Sequence, residues 1–115
     1  MEIAMKKTVV INNEILGRGN DDLGRQIMGS FLRKLCLENN KPEKIIFYNS
    51  GVKLLVKNSG VFDAIELLLK SGVDLIACGT CVNYYELKDK IEPVHISDMV
   101  TIISTLMNSD NVITV

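Results

Sequence analysis

Two cysteines, Cys78 and Cys81, lie in the segment IACGTCVNYY of residues 76–85, where an apolar run ends and a helix-like run begins. The thiolate is the nucleophile of cysteine chemistry, and the free N–H groups and positive dipole end of a helix start lower the pKa of a thiol. We therefore expect the Cys78 thiol to be ionised and reachable from solvent at a strand-to-helix turn. This spacing indicates nucleophilic sulfur chemistry.

A CxxC pair also supports other chemistry, because it can form a disulfide or supply half of a zinc site. A structural zinc site usually needs four protein ligands. The chain offers only His95 beside the pair, since Cys36 follows Leu35 in a helix-like stretch and is expected to be packed and inert. We predict no metal site within one chain, and a site shared between subunits stays open.

Three further side chains are candidates for a role at the sulfur. Arg18 lies in a glycine-rich turn and is either a cation near the sulfur or an ordinary turn residue. Lys53, after Ser50-Gly51-Val52, is either a second such cation or a solvated loop lysine. His95 is mainly expected to be an ordinary surface or hydrogen-bonded histidine, with a general base for Cys78 as the alternative. Of Tyr84 and Tyr85, one is expected to wall the pocket and the other to pack.

Length and composition limit the classes of protein that fit. The chain has 115 residues, 47% hydrophobic and 23% charged, which is ordinary for one globular domain, and we expect a single domain over residues 1–115. A net charge of −1 gives no bulk attraction to nucleic acid or to an anionic membrane. No apolar run approaches the roughly 18 residues that cross a bilayer.

The cysteine count and the N-terminal residues indicate the compartment. Three cysteines is an odd number, which argues against a secreted disulfide framework. Residues 1–7 lack the apolar segment and cleavage site of a secretion signal. We therefore expect a cytoplasmic protein with neither a nucleic-acid nor a membrane partner.

Apolar and amphipathic segments alternate along the chain and predict an α/β fold. Short apolar strands separated by helices indicate a parallel sheet covered on both faces, so the expected architecture is a three-layer α/β/α sandwich with a mostly parallel five-stranded sheet. The predicted strands are residues 7–12, 43–49, 73–78, 92–96 and 111–115. The predicted helices are residues 21–39, 61–71, 80–90 and a last helix capped by Ser97.

Apolar spacing predicts the buried face of each helix. In the first helix the expected inner residues are Leu23, Ile27, Phe31 and Leu35, with Met28 and Leu32 alongside. In the second helix they are Phe62, Ile65, Leu68 and Leu69. In the last helix they are Met99, Ile102, Ile103 and Leu106.

The parallel sheet also predicts where a site forms. The carboxyl ends of parallel strands share one edge, and ligands bind there. Four loops should therefore meet, at residues 13–20, 49–53, 78–84 and 96–98. The cysteine pair would lie in the middle of this composite site.

Three blocks of the chain resemble the DsrE/DsrF-like family. They are LGRG with DLG at residues 16–19 and 22–24, NSGVKL at 49–54, and CGTCVNYY with LKD at 78–85 and 87–89. The resemblance covers nearly the whole chain. It is closest to the DsrE-like domain of YedF-type proteins, which are called sulfurtransferase-like and are linked to selenium metabolism.

This resemblance implies a fold, an assembly and an activity. It implies the three-layer fold, homo- or hetero-oligomers, and sulfur relay through a cysteine persulfide, with no cofactor needed. Cys78 matches the sulfur-accepting cysteine at the end of a central strand, and Cys81 its companion, whereas Glu86 stands where a small residue is expected. The other candidate site residues, taken as substrate-binding, are Arg18, Asn49, Ser50, Lys53, Gly79, Thr80, Asn83 and Tyr84.

The leading hypothesis is a sulfurtransferase-like sulfur carrier. Cys78 would attack a donor persulfide, hold the sulfane sulfur and pass it to a partner thiol, while Cys81 would resolve the persulfide or tune Cys78. Many YedF-type proteins carry a TusA-like domain that these residues do not include, so the expected partners are donor and acceptor proteins, TusA-like ones among them.

Two other functions stay open. The first is an oligomeric adaptor or sensor whose cysteine pair toggles between dithiol and disulfide. The second is a thioredoxin-like oxidoreductase, because Cys-Gly-Thr-Cys is similar to that active-site tetrapeptide. Against it, no tryptophan precedes the pair, and Pro93 is the only downstream proline.

Overall fold

The computed structural model describes residues 5–115, so part of the N-terminal segment considered for a secretion signal, residues 1–4, lies outside the described residues. Strands and helices alternate along the rest of the chain. In order they are β1 (Lys7–Ile11), α1 (Asp21–Leu35), β2 (Lys44–Phe47), a 3₁₀ helix (Asn49–Leu55), α2 (Phe62–Lys70), β3 (Asp74–Cys78), α3 (Gly79–Tyr84), a 3₁₀ turn (Pro93–His95), β4 (Ile96–Ser97), α4 (Met99–Met107) and β5 (Asn111–Thr114). Within this part of the chain, every helix is too short or too polar to cross a membrane.

The five strands form one sheet in the order β4-β3-β2-β1-β5, and each described pairing is parallel. The predicted α/β fold with a parallel five-stranded sheet is therefore confirmed. The register aligns Val10 with Ile46 and Ile46 with Ile76. Because side chains alternate between the faces of a strand, these three form one apolar row on a single face of the sheet.

The two faces of the sheet are covered unequally. One face carries the larger core, in which α1, α2, α3 and the first 3₁₀ helix pack on residues such as Ile11, Ile45 and Phe47. The other face carries a small second core, formed by Val10, Ile46, Ile76, Cys78 and Ile102. Ile102 belongs to α4, which is the only described helix with a fully buried residue in this second core. The layer that covers Cys78 is thus a single short helix.

The start of α1 is predicted correctly, and its buried face is predicted in part, since Phe31 and Leu35 of the predicted row pack half-buried against the larger core. Asn20 caps the helix, since its Oδ1 accepts a hydrogen bond from the Leu23 N–H at 3.0 Å. Leu23 itself is 54% exposed, and the buried face consists of Gly24, Met28, Gly29 and Leu32. A Cβ at position 24 would lie 2.8 Å from Ile15 Cβ. This glycine lets α1 approach the preceding loop closely, and the two residues predicted alongside the main row, Met28 and Leu32, are fully buried.

The predicted face of α4 is right for Ile102 and Leu106 and wrong for Met99 and Ile103. Met99 and Ile103 are about half exposed, Leu106 is half-buried, and Ile102 alone is fully buried. The cap is Asp98 rather than Ser97, because its Oδ1 accepts a hydrogen bond from the Thr101 N–H at 2.8 Å. Apolar residues occur on several sides of α4, so spacing does not single out one buried face. The sequence did not show that only a narrow part of the helix contacts the sheet.

Two elements around the cysteine pair are shorter than predicted. Helix α3 has six residues and ends at Tyr84, because Glu86 adopts φ +57. The Glu86 N–H donates to Asn83 O, and the Leu87 N–H donates to Val82 O, which is the Schellman arrangement that ends helices. Its left-handed position usually holds a glycine, which explains why a small residue was expected there. Strand β4 is confined to Ile96–Ser97, and a 3₁₀ turn occupies most of the predicted strand.

Candidate functional site

The cysteine pair lies where β3 passes into α3, beside the short edge strand β4. Cys78 is the last residue of β3 and pairs with Ser97. Gly79 begins α3, and a Cβ at this position would lie 2.8 Å from the Ser97 carbonyl oxygen. A glycine at this position therefore allows α3 to begin this close to β4.

The Cys78 side chain points into the second core. It is 3% exposed and packs with Ile76 and Ile102 beneath α4. As the residue before α3, its side chain makes no capping hydrogen bond to the backbone N–H groups of the helix. The short α3 also aligns fewer peptide dipoles than the predicted helix would. The expected solvent access of Cys78 is therefore wrong, and so is its expected contact with the helix start.

Cys81 is the more accessible sulfur of the pair. It is half-buried, packs against both cores, and its Sγ accepts a hydrogen bond from the Asn49 backbone N–H at 3.0 Å. Burial raises the pKa of the Cys81 thiol, the Asn49 N–H lowers it in part, and the neighbouring Cys78 raises it further. A backbone donor aimed at sulfur favours the thiolate. The described anion-stabilising contact thus reaches Cys81 rather than Cys78.

Asn49 connects Cys81 to Tyr85. The Tyr85 hydroxyl donates to Asn49 Oδ1 at 2.6 Å. The Lys53 Nζ lies 4.5 Å from the centroid of the Tyr85 ring and 3.7 Å from Glu14 Oε1. The Glu14 carboxylate and the Tyr85 ring therefore hold Lys53 beside the site, and the ring contact joins it to Asn49 through Tyr85.

The loop after β1 is tied to the same 3₁₀ helix. The Ser50 hydroxyl donates to Asn13 Oδ1 at 2.9 Å and accepts from the Glu14 N–H at 3.1 Å. Gly51 packs so closely on the end of β1 that a Cβ would lie 2.4 Å from the Ile11 carbonyl oxygen. Together with the Asn49–Cys81 and Gly79–Ser97 contacts, this confirms that the four predicted loops meet at one edge of the sheet.

Several predicted site residues lie at the surface. Arg18 is exposed in its glycine-rich turn, and Thr80 and Asn83 are exposed on α3. Tyr84 is 79% exposed and meets the Tyr85 ring edge-on, with 5.2 Å between centroids. Among the described contacts, Tyr85 rather than Tyr84 joins the hydrogen bonds around the sulfur. The sequence signal was the i, i+4 spacing of Cys81 and Tyr85, which places both on one helical face.

Tyr48 is a further residue that the sequence prediction missed. It follows β2, whose Phe47 pairs with Ala77, so Tyr48 lies beside Cys78 in the register. It is half-buried and packs against the second core. Burial raises the pKa of the Tyr48 hydroxyl, and the nearby Cys78 and Cys81 raise it further. The hydroxyl is therefore a proton donor rather than an anion at the edge of the cysteine site.

His95 and Cys36 have separate surroundings. His95 is half-buried and lines a cavity of about 580 Å³ between α2 and residues 88–93. Cys36 Sγ donates to Leu32 O at 3.3 Å, and burial raises the pKa of this thiol. The expectation of a packed Cys36 is confirmed. Over residues 5–115, no three His, Cys, Asp or Glu side chains gather into a set that could hold a metal ion.

Comparison with known proteins identifies relatives of this fold and sequence. The sequence model of the DsrE/DsrF-like family matches residues 5–115. The YchN protein of E. coli shares the fold with a TM-score of 0.71 at 15% identity, over 96% of this chain and 99% of that chain. A conserved protein of unknown function from Bacteroides thetaiotaomicron, BT1422, shares it with a TM-score of 0.67 at 18% identity, over 96% and 95% of the two chains. No curated protein sequence matches the chain.

Proposed function

Because the chain belongs to the DsrE/DsrF-like family, which is linked to sulfur relay, we propose that it carries sulfane sulfur as a persulfide on Cys78 and passes it to a partner thiol. The observation that carries this proposal is the pairing of two neighbouring thiols with unequal access. Cys81 is half-buried at the rim and has a backbone donor, and Cys78 is buried beside it. An outer thiol can receive sulfur, and an inner thiol can keep it.

The proposed transfer is thiol exchange in two steps and consumes no oxidant. The Cys81 thiolate attacks the outer sulfur of a donor persulfide, the S–S bond of the donor breaks, and the donor leaves as a thiolate. The Cys78 thiolate then attacks the outer sulfur of the Cys81 persulfide, and Cys81 is released as a thiolate. Delivery to an acceptor thiol follows the same steps in reverse.

The burial of Cys78 would protect a persulfide on this residue from thiols in solution. Small thiols in solution attack exposed persulfides, since access controls the rate of exchange. The helix α4 covers Cys78, so a sulfur stored there is protected until it returns to Cys81. The covering layer contributes few buried side chains, which makes it a region of low local stability that can open.

The intact mass of the protein after treatment with a persulfide donor tests this function. We expect a gain of one sulfur atom that a reducing agent reverses, and the same gain in Cys36→Ser as the matched control. A loss of two hydrogens under mild oxidant, without sulfur uptake, would instead favour the sensor. Reduction of insulin in the presence of a reductase would favour the oxidoreductase.

We further propose that the chain lies in the YedF-type branch of the family and acts in the cytoplasm. The motif CGTCVNYY supports the branch, and free thiols persist in a reducing compartment. The expected partners are a sulfur donor and a TusA-like acceptor, whose own mass would rise by one sulfur atom on mixing with the loaded protein. Uptake of one selenium atom from a selenium donor would extend the role to selenium.

We propose in addition that the protein assembles with copies of itself through the outer face of α4. Val100, Ile103 and Met107 are exposed there, and the nine residues of α4 include no charged side chain. Contiguous exposed apolar surface of this kind marks an interaction site. A second copy is the expected partner because the family resemblance implies homo-oligomers.

Sedimentation velocity tests the assembly. We expect wild-type protein to sediment as an oligomer and Ile103→Glu as a monomer, because a carboxylate in an apolar contact loses its hydration without gaining a partner. Leu67→Glu is the matched control, since Leu67 is exposed on α2, over the opposite face of the sheet. A monomeric wild type, or an Ile103→Glu variant that still assembles, would contradict this interface.

A further inference from the structure

We propose that Tyr85 is a positioning residue that sets the reactivity of Cys81 by holding the backbone N–H of Asn49 against its sulfur. The inference rests on the proposed function only in giving Cys81 a part in sulfur transfer. It is based on three consecutive contacts, from Lys53 to Tyr85, from Tyr85 to Asn49, and from Asn49 to Cys81.

The first observation behind this inference is that Cys81 and Tyr85 share one helical face. Cys81 is the third residue of α3, and Tyr85 follows its last residue, Tyr84. Residues four apart on a helix lie one above the other. Asn49 is bound at both ends by this face, because its N–H donates to Cys81 Sγ and its Oδ1 accepts from the Tyr85 hydroxyl. Both bonds therefore fix the same residue.

The second observation is the backbone conformation of Asn49. It adopts φ +47, which is the left-handed region that side chains other than glycine rarely occupy. Asparagine tolerates this region better than most residues, but the conformation still costs free energy. The Tyr85 hydroxyl bond at 2.6 Å is the described side-chain contact that holds it. Without that bond, Asn49 can relax and its N–H can turn away from the sulfur.

The third observation is the environment of the sulfur. Burial raises the pKa of Cys81, and the hydrogen bond from the Asn49 N–H lowers it. Loss of that donor leaves burial unopposed, so a smaller fraction of Cys81 is thiolate at neutral pH. The Lys53 ammonium over the Tyr85 ring orients the ring as a cation–π partner and so supports the same hydroxyl bond.

The pH profile of Cys81 alkylation by iodoacetamide tests the inference, followed by fragment mass spectrometry in the full chain with its native cysteines. In Tyr85→Phe, we expect the rate at neutral pH to fall at least about threefold and the profile to move to higher pH, since thiolate fraction sets the rate. The rate at high pH, where the thiol is fully ionised, should not fall. This last readout separates a change of ionisation from a change of access.

Two further variants isolate the hydrogen bond. Asn49→Gly keeps a backbone N–H and accepts φ +47 without strain, but it lacks the acceptor for Tyr85. We expect it to resemble Tyr85→Phe, and the double variant to be no slower than the slower single variant, as for two partners in one bond. Tyr84→Phe removes the neighbouring exposed hydroxyl, and its Cys81 alkylation profile should match that of the wild type. The alkylation profile of Cys36 should be the same in every variant as in the wild type.

Two results would overturn the inference. One is a Tyr85→Phe profile that superimposes on that of the wild type, and the other is a rate reduced equally at all pH values. Sulfur uptake is measured separately by intact mass. A protein that takes up no sulfur but shows the shifted profile contradicts the proposed function alone, and one that takes up sulfur with an unchanged profile contradicts this inference alone.

Discussion

Replacing Cys78 with serine should reduce the sulfur that survives a brief chase with a small thiol by at least about tenfold, because access controls the rate of exchange. Cys81 remains able to accept sulfur in this variant, but it holds the persulfide at the rim, where a thiol can remove it. In the wild type the sulfur moves inward to a residue that is 3% exposed. The measurement is the intact mass before and after the chase.

Cys81→Ser is expected to have the opposite effect on kinetics. Its uptake should slow by at least about tenfold, or about 1.4 kcal/mol of activation free energy, because the donor must then wait for the cover over Cys78 to open. The sulfur that does enter should survive the chase. Cys36→Ser is the control and should match the wild type in both measurements. A Cys78→Ser variant that retains its sulfur would contradict the inner-carrier role.

Gly51→Ala is expected to destabilise the fold by about 3 kcal/mol, because overpacking against rigid atoms cannot be relieved by a rotamer change. The added Cβ would lie 2.4 Å from the Ile11 carbonyl oxygen and 3.4 Å from the Asn13 N. Both are backbone atoms, so the 3₁₀ helix that begins at Asn49 must move. A loss of this size is a large fraction of the 5–15 kcal/mol that is typical of folded domains.

Urea unfolding of matched glycine variants measures this cost. Gly60→Ala is the control, since no heavy atom beyond Gly60 and its two chain neighbours lies within 4 Å of its Cβ position, and only its φ of +89 opposes the substitution. We expect the control to lose about 1–2 kcal/mol, the cost of a left-handed conformation. A Gly51→Ala variant as stable as the control would contradict the close approach of the 3₁₀ helix to β1.

The order of elements could be predicted from the sequence because it depends on local patterns. Short β-branched runs mark the strands, Asn20 marks the start of α1, and Gly72 at φ +90 follows α2. The meeting of four loops followed from one topological rule, namely that parallel strands end at the same edge. Strand order is different in kind, since it depends on packing among elements that are distant in the chain.

Spacing alone predicted the faces of α1 and α4 only in part. Two neighbouring stripes of α1 are apolar, and the close contact of Gly24 with Ile15 decides between them. In α4 most apolar side chains point outward. Part of the apolar pattern of α4 therefore lies on surface that this chain does not bury. A prediction that assumes every apolar residue is buried within one chain places these side chains in the core by mistake.

The site was predicted in its location but not in its internal arrangement. Strand alternation places Ile76 and Cys78 on one face, yet only the structure shows that α4 covers that face. The left-handed Asn49 and its contact with Cys81 depend on how the 3₁₀ helix meets α3. Neither feature has a local sequence signature, and together they separate a buried thiol from an accessible one.

Fragmentation of the sulfur-loaded wild-type protein tests the sulfur-carrier role most directly, because it identifies the cysteine that bears the additional sulfur atom after a thiol chase. We expect the sulfur on Cys78, with Cys81 and Cys36 unmodified. Retained sulfur on Cys81 or Cys36 with none on Cys78, or no sulfur on any of the three, would contradict the proposal that this fold stores sulfane sulfur beneath α4.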